Sequence, residues 1–213
     1  MRRDEFEVAD LKEAEQFLQE MTFGFLGTVR EDGYPAVTPL NFVYTNGAVY
    51  FHGSRVGEKM SSIGADGRVS FSVAKEYALI PSYFSDPLMA CPATAYFKSV
   101  LITGKAAVVD DPHEKASALE ALMRKLQPEG GCKAIDAGDP DYAPRLKGVA
   151  VVKIGIESMS AKFKFGQNLK GERLAAVMDG LSERGLPDDE ETRALMMKYC
   201  PHAKRLRTEG IGE

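Results

Sequence analysis

The sequence has no tryptophan, only three histidines and three cysteines, and no long apolar run. Cys91, Cys132 and Cys200 are odd in number, widely spaced and never paired as C-x-x-C, so neither a disulfide framework nor a zinc knuckle is indicated. No second ligand stands at metal spacing near any histidine, so we expect no metal site. Unpaired cysteines favour a protein of the reducing cytoplasm.

A surplus of positive charge is also missing. The formal net charge is −4 and the sequence pI about 5.6, which argues against a nucleic-acid partner because such proteins usually carry a basic patch. The chain opens Met-Arg-Arg and then becomes acidic and amphipathic, so we expect neither a signal peptide nor a membrane span. Neither G-x-x-x-x-G-K-[ST] nor G-x-G-x-x-G occurs, which disfavours a nucleoside triphosphate site and a Rossmann site. The expected ligand is therefore another small molecule.

Local patterns in the 213 residues predict alternating short strands and helices. Asp10 is a typical N-cap for a helix with apolar residues at helical spacing, and a second helix is predicted to start at Asp111-Pro112-His113 and to end near Leu126. Strands are predicted at 23–29, 34–44, 48–52, 68–74, 95–109 and 148–158. Further helices are predicted at 56–63, 173–182 and 188–199, with irregular segments at 77–92 and 127–147.

The turns between these strands predict how they pair. The sequences Asp32-Gly33, Asn46-Gly47 and Asp66-Gly67 are hairpin turn signals, and their close succession predicts a meander. Pro35 and Pro39 lack an N–H group and place their strand at a sheet edge or at a bulge. Six strands with few helices predict a mainly β (α+β) fold, a small closed or half-closed antiparallel barrel with flanking helices. We expect a main domain at 1–170 and a helical C-terminal extension at 171–213.

The segment VYFHGSRVGEK, residues 49–59, joins an apolar strand to a glycine-bearing turn and the start of a helix. Free N–H groups at a helix start favour an anion such as phosphate, and Lys59 adds a point charge. The alternative is that Gly53 and Gly57 only turn the chain and that Lys59 is solvated.

Longer strings carry a family resemblance. LGTVREDGYPAVTPLNFVY (26–44), AVYFHG (48–53) with Lys59, and AYFKSV (95–100) with GKA (104–106) resemble the pyridoxamine 5′-phosphate oxidase-like split-barrel flavoproteins, closest to the nitroimidazole-resistance (Nim-type) branch. The resemblance covers about residues 5 to 160. The string KFKFGQN (162–168) is similar to a C-terminal segment that in such flavin binders reaches the flavin of the opposite subunit.

This resemblance implies a six-stranded split barrel that forms a homodimer with FMN at the subunit interface. The phosphate would be held by Lys59 and by the turn His52, Gly53 and Ser54. The isoalloxazine ring and ribityl chain would run along Thr38, Pro39, Leu40 and Asn41, with Ser70 and Ser72 as further contacts. The partner chain would supply Tyr96, Ser99, Gln167 and Asn168. His52 would lie beside the flavin and is the catalytic candidate.

The sequence also departs from the family pattern. Glu58 precedes Lys59, where the vitamin B6 oxidases cluster basic residues, and their C-terminal R-x-H element is absent. We therefore expect an FMN-dependent oxidoreductase of small substrates, with nitroaromatics as one candidate class, and no true pyridoxamine phosphate oxidase activity.

The sequence leaves two alternatives open. The chain could be a flavin- or haem-binding sensor or regulator without turnover, since split barrels include haem-related members. A deazaflavin could also replace FMN, because a phosphate site built on one lysine does not distinguish them.

Overall fold

The computed structural model describes residues 4–203, which form a seven-stranded sheet and six α-helices. The strands are β1 (Phe23–Val29), β2 (Pro35–Asn41), β3 (Val43–Thr45), β4 (Ala48–Gly53), β5 (Arg68–Ile80), β6 (Thr94–Val108) and β7 (Ala150–Lys164). The helices are α1 (Leu11–Glu20), α2 (Glu58–Ala65), α3 (Pro112–Leu126), α4 (Ala143–Gly148), α5 (Gly171–Arg184) and α6 (Asp189–Tyr199), with short 3-10 helices at Asp4–Phe6 and Ser82–Phe84. No helix in this range has the length and apolar character needed to cross a membrane.

The strands follow the order β2-β1-β5-β6-β7-β4-β3 in an antiparallel sheet, and within residues 4–203 the sheet is open, with β2 and β3 at its edges. The fold is therefore mainly β with flanking helices, as predicted, but the six-stranded barrel and the meander are corrected. The predicted strand 34–44 breaks at Phe42, which is fully buried and donates its N–H to the Thr22 carbonyl at 3.2 Å. Its two parts pair with different strands, β2 with β1 and β3 with β4, which makes the seventh strand.

Two of the three predicted hairpin turns, Asp32-Gly33 and Asn46-Gly47, have the expected conformations. Asp66-Gly67 is not a hairpin turn, because it follows helix α2 and Asp66 has an extended φ of −143°. Gly33 has a φ of 83°, and Asn46 and Gly47 have φ angles of 51° and 70°, the left-handed pair that a type I′ hairpin requires. Pro35 and Pro39 lie in β2, at an edge of the sheet, which confirms the prediction that rests on their missing N–H groups.

The helix starts agree with the sequence, whereas several element lengths do not. The Asp10 carboxylate accepts from the N–H of Lys12, and that of Asp111 from His113 and Glu114, as expected for N-caps. Strands β5 and β7 extend beyond their predicted ends at 74 and 158, because residues such as Tyr77 and Phe163 continue to be buried there. The predicted loop 127–147 contains most of α4.

The described chain divides into two compact units. The first, here called the terminal unit, holds residues 4–9, 74–99 and 161–203, and the second, the central unit, holds 10–73 and 100–160. Each of β5, β6 and β7 has residues in both units. Neither unit begins or ends at residue 170, where the sequence predicts a domain boundary. That domain boundary stays a prediction.

Gly104, expected at a bend, lies inside the continuous strand β6 in the central unit. A Cβ atom at this position would overlap the carbonyl oxygen of Gly155 and lie 3.1 Å from its carbonyl carbon. Because the obstacle is backbone on a neighbouring strand, no rotamer change could make room. Gly104 is thus required for the close approach of two strands.

Replacing Gly104 by alanine is therefore expected to destabilise the protein by about 2 kcal/mol or more, since backbone must shift to admit the methyl group. Gly155→Ala is the matched control, because its Cβ would meet nothing nearer than the Lys105 carbonyl oxygen at 3.8 Å. We expect that control to stay within about 0.5 kcal/mol of wild type. Urea unfolding measures both variants, and equal losses in the two would contradict the close-approach argument.

Candidate functional site

The segment predicted to bind an anion runs from β4 into α2. The first four residues of β4 are buried, and the strand ends at the exposed His52 and the half-buried Gly53. Gly57, with a φ of 118°, caps α2, and its carbonyl oxygen accepts from the N–H groups of Met60 and Ser61, both at 3.0 Å. The N–H groups of Glu58 and Lys59 precede the first of these bonds and have no intrahelical acceptor. The helix start thus keeps donors available for a ligand.

Lys59 is the charged group of this segment. Its side chain is half-buried, with Nζ 5.0 Å from the centroid of the Phe51 ring. A Cβ atom placed on Gly53 would lie 3.4 Å from the same Nζ, so Gly53 lies directly beside the ammonium. Burial lowers the pKa of Lys59, and no carboxylate within residues 4–203 lies within 4.0 Å of it. A partly desolvated cation without a counter-charge favours the approach of an anion.

The neighbouring charges leave Lys59 uncompensated. Glu58, the acid whose position departs from the family pattern, lies with its carboxylate 3.8 Å from the Arg30 guanidinium. Arg30 also contacts Asp32 at 3.3 Å. Arg55 donates to the Lys147 carbonyl oxygen at 3.0 Å. Glu58 therefore has a cationic partner other than Lys59.

His52 and Ser54 are both exposed. His52 lies opposite Val151 in the β4–β7 pairing, and the described residues offer its imidazole no hydrogen bond. Ser54 Oγ accepts from the Val56 N–H at 3.2 Å, which shapes the turn before α2. The catalytic role of His52 stays a prediction.

The predicted residues of β2 divide between the two faces of the sheet. Thr38 and Leu40 pair with Leu26 and Gly24 of β1, and Leu40 is buried. Pro39 pairs with Phe25 on the other face and is exposed. Paired side chains lie on one face, so the β2 residues present alternate sides to any ligand.

Ser70 and Ser72 of β5 lie on the same outer face as Pro39. They pair with Gly27 and Phe25 of β1, respectively. Asn41 is exposed and donates through Nδ2 to the Thr22 carbonyl oxygen at 3.0 Å. The structure thus brings Pro39, Ser70 and Ser72 to one surface.

The remaining predicted residues belong to the terminal unit. Tyr96 is buried and Asn168 is exposed, while Ser99 Oγ donates to the Lys162 carbonyl oxygen at 3.5 Å. The Gln167 amide donates to the Phe163 carbonyl oxygen at 2.6 Å and accepts from the Phe165 N–H at 2.7 Å. The side chain of Gln167 therefore ties its own turn together, and its contact with a cofactor stays a prediction.

Sequence reasoning missed one group of residues in the terminal unit, namely the basic side chains of Lys162, Lys164 and Arg173 that line a cavity there. The alternation of lysine with buried phenylalanine in 162–165 is a signal for two of them, while Arg173 comes from α5 and is found only in the fold. No grouping of three potential metal ligands occurs in the part of the chain that the structure describes.

Solved structures show the same fold at low sequence identity. A proposed 5-nitroimidazole antibiotic resistance protein from Bacteroides thetaiotaomicron VPI-5482 is 22% identical, covering 73% of this chain and 85% of its own, with a TM-score of 0.60. A flavocytochrome from Azotobacter vinelandii is 23% identical over 80% of this chain and 75% of its own, with a TM-score of 0.63. A protein from Mycobacterium smegmatis described as binding FAD and haem is 17% identical over 80% and 79%, at 0.61.

No curated protein sequence matches the chain. The family model of the pyridoxamine 5′-phosphate oxidases matches residues 10–163, which is more than half of the sequence. That match includes the strand, the glycine turn and the helix start around Lys59. The chain therefore belongs to the pyridoxamine 5′-phosphate oxidase family.

Proposed function

We propose that this protein binds FMN, with the phosphate at the start of α2. The observation that carries the proposal is the half-buried ammonium of Lys59, which has no anionic partner among residues 4–203. A phosphate there would supply the missing counter-charge and accept from the N–H groups of Glu58 and Lys59. Gly53 lies directly beside Nζ, which brings the turn next to the ammonium. That two similar structures are described as a flavocytochrome and an FAD- and haem-binding protein supports a flavin as the cofactor class.

The outer face of the sheet supports the place of the flavin ring. Pro39 and Ser72 flank Phe25 there, and the three form one row across β2, β1 and β5. An apolar ring beside a hydroxyl suits a planar heterocycle with polar edges. His52, exposed and without a bond in the described residues, is the side chain we propose for contact with substrate.

Bound FMN would supply the redox chemistry, accepting electrons from a donor and passing them to an acceptor. We propose that the protein is an oxidoreductase of small molecules, and nitroaromatics are the first class to assay. The likeness to a proposed nitroimidazole resistance protein favours that class. The residues of this chain bind the phosphate, orient the ring and exclude water from it.

We further propose a homodimer with flavin at its interface. Phe23, Phe25 and Val29 lie on one face of β1 and are 45%, 44% and 48% exposed. Val37 of β2 is 67% exposed. We call these residues the outer β1 face. An apolar patch of this kind on a soluble domain marks an interaction surface. A second copy would bury it and complete the flavin site.

The alternative function is flavin or haem binding without turnover, as in a sensor or regulator. Two similar structures, the flavocytochrome and the FAD- and haem-binding protein, support this alternative. A visible spectrum of the purified protein separates the possibilities. A flavin spectrum with FMN released on denaturation supports the proposal, and reduction of that flavin by a nicotinamide donor supports an enzyme. A Soret band would favour the haem alternative over FMN. A colourless protein that does not bind added FMN would contradict both the proposal and the alternative.

Lys59→Ala is expected to weaken FMN binding about tenfold or more, because a charge-assisted contact to phosphate contributes on the order of 1.5–3 kcal/mol. Lys59→Arg keeps the charge and is expected to retain most of the affinity. Lys12→Ala removes an exposed lysine from α1 and is the control for net charge. Quenching of flavin fluorescence measures all three. Equal affinities for Lys59→Ala and Lys12→Ala would rule out the phosphate site.

The pH dependence of the same titration gives a second readout. Burial lowers the pKa of Lys59, so its charge is lost at a lower pH than that of an ordinary lysine. Because only the protonated form attracts phosphate, wild-type affinity should fall as pH rises toward the usual lysine pKa, while Lys59→Arg should keep its affinity. Identical pH profiles in the two proteins would contradict the assignment.

The interface is tested by Phe25→Glu, which puts a carboxylate in the middle of the outer β1 face. Burying that charge between two copies costs several kcal/mol, so a wild-type dimer should become a monomer of about 23 kDa. Leu11→Glu, at a 55% exposed position on α1, controls for the loss of an exposed apolar side chain. Light scattering gives the mass. A monomeric wild type, or a dimeric Phe25→Glu variant, would refute this interface.

A further inference from the structure

The terminal unit contains a cavity of about 670 Å³. Its walls come from the ends of β5 and β7, the segment 85–93, the start of β6 and helix α5. The volume falls within the range of roughly 300–1,000 Å³ that is usual for small-molecule sites. Apolar side chains form part of the lining, among them Phe6, Ile80, Phe97, Leu169 and Val177. The cavity can hold a ligand with an apolar body.

The charged groups of the cavity are mostly basic. Lys162, Lys164 and Arg173 line it, against one acid, Asp86. The Asp86 carboxylate accepts from the N–H groups of Leu88 and Met89, both at 3.0 Å. These two bonds, with a smaller contribution from Arg173, lower the pKa of Asp86 and keep it ionised. The balance of charge therefore favours an anionic ligand.

The cations differ in how far they are already engaged. Lys164 bonds to the hydroxyl of Thr94. Lys162 Nζ lies near the rings of Phe6 and Phe97, at 5.7 and 5.5 Å from their centroids. In residues 4–203 neither Lys162 nor Arg173 has a carboxylate within 4.0 Å. These two remain available for an anion.

The hydroxyl of Tyr96 is the second polar feature of the cavity. Tyr96 lines the cavity and is only 2% exposed, and burial raises its pKa, so that the phenol keeps its proton. No described residue forms a hydrogen bond with that hydroxyl. The hydroxyl is therefore available to donate to an acceptor on a ligand in the cavity. Gly166 helps to shape this place, because a Cβ there would lie 2.6 Å from the Tyr96 hydroxyl oxygen.

We infer that this cavity binds a small organic anion, a carboxylate or phosphate ester with an apolar body. Arg173 and Lys162 pair with the anionic group, the Tyr96 hydroxyl donates to an acceptor on the ligand, and Ile80 and Phe97 contact the apolar part. The site lies wholly within the terminal unit and does not depend on flavin binding at Lys59. Tyr96 and Asn168, expected to reach a partner's flavin, here line a cavity of their own chain.

Calorimetric titration of the full chain tests this inference with 2-naphthoate, 2-naphthyl phosphate and the neutral 2-naphthalenemethanol. At least one of the two anions is expected to bind at one per chain and about tenfold more tightly than the alcohol, since a charge-assisted contact distinguishes them. Tighter binding of the phosphate ester would identify phosphates as the class, and tighter binding of naphthoate would identify carboxylates.

Substitutions locate the binding. Arg173→Met and Lys162→Met should each weaken the tighter anion about tenfold, and the isosteric Tyr96→Phe about threefold. Lys170→Met removes an exposed lysine that does not line the cavity and should leave affinity unchanged. Lys59→Ala should also leave it unchanged, which separates this site from the proposed flavin site. Absence of saturable binding, equal affinity for the alcohol, or equal effects of Arg173→Met and Lys170→Met would overturn the inference.

Discussion

The packing of Phe42 determines how the central unit is arranged. Its ring meets Phe71 edge-on at 5.0 Å, Lys125 Nζ lies 4.4 Å from the ring centroid, and its N–H donates to the Thr22 carbonyl. These contacts hold the chain where it leaves β2. Because the next residues pair with β4 and not with β1, the two hairpins end at opposite edges of one sheet. Strand β4 pairs with β3 and leads directly into the turn that carries Lys59, so the place of that turn depends on this change of sheet edge.

Much of the local structure could be predicted from the sequence, because it depends on neighbouring residues. The Asn46-Gly47 turn needs left-handed φ angles, and the Asp10 cap needs a side-chain acceptor before a helix. Both requirements involve only a few consecutive residues. The break at Phe42 could not be predicted in this way. Residues 34–44 have strand character throughout, and only the distant partners Thr22 and Phe71 show that the strand divides.

The same distinction applies to the candidate sites. Gly53, Gly57 and Lys59 are close in sequence, so their pattern could indicate an anion site, with a simple turn as the alternative. The cavity of the terminal unit gathers Phe6, Tyr96, Lys162 and Arg173 from remote segments, and no short window contains its chemistry. Tyr96 and Asn168 were identified through the family resemblance, but the surroundings that suggest a ligand became visible only in the fold.

The net charge of −4 excludes a general basic surface and yet does not exclude anion sites, since affinity for a small anion depends on charge within a few ångströms. Glu58 illustrates this. A carboxylate next to Lys59 in sequence should oppose a phosphate, but Arg30 lies 3.8 Å from it and offsets part of its field. Both side chains are substantially exposed, so water screens the remainder. Lys59, more buried, is screened less. The site is therefore cationic because of where its charges lie, even though its sequence neighbours include an acid.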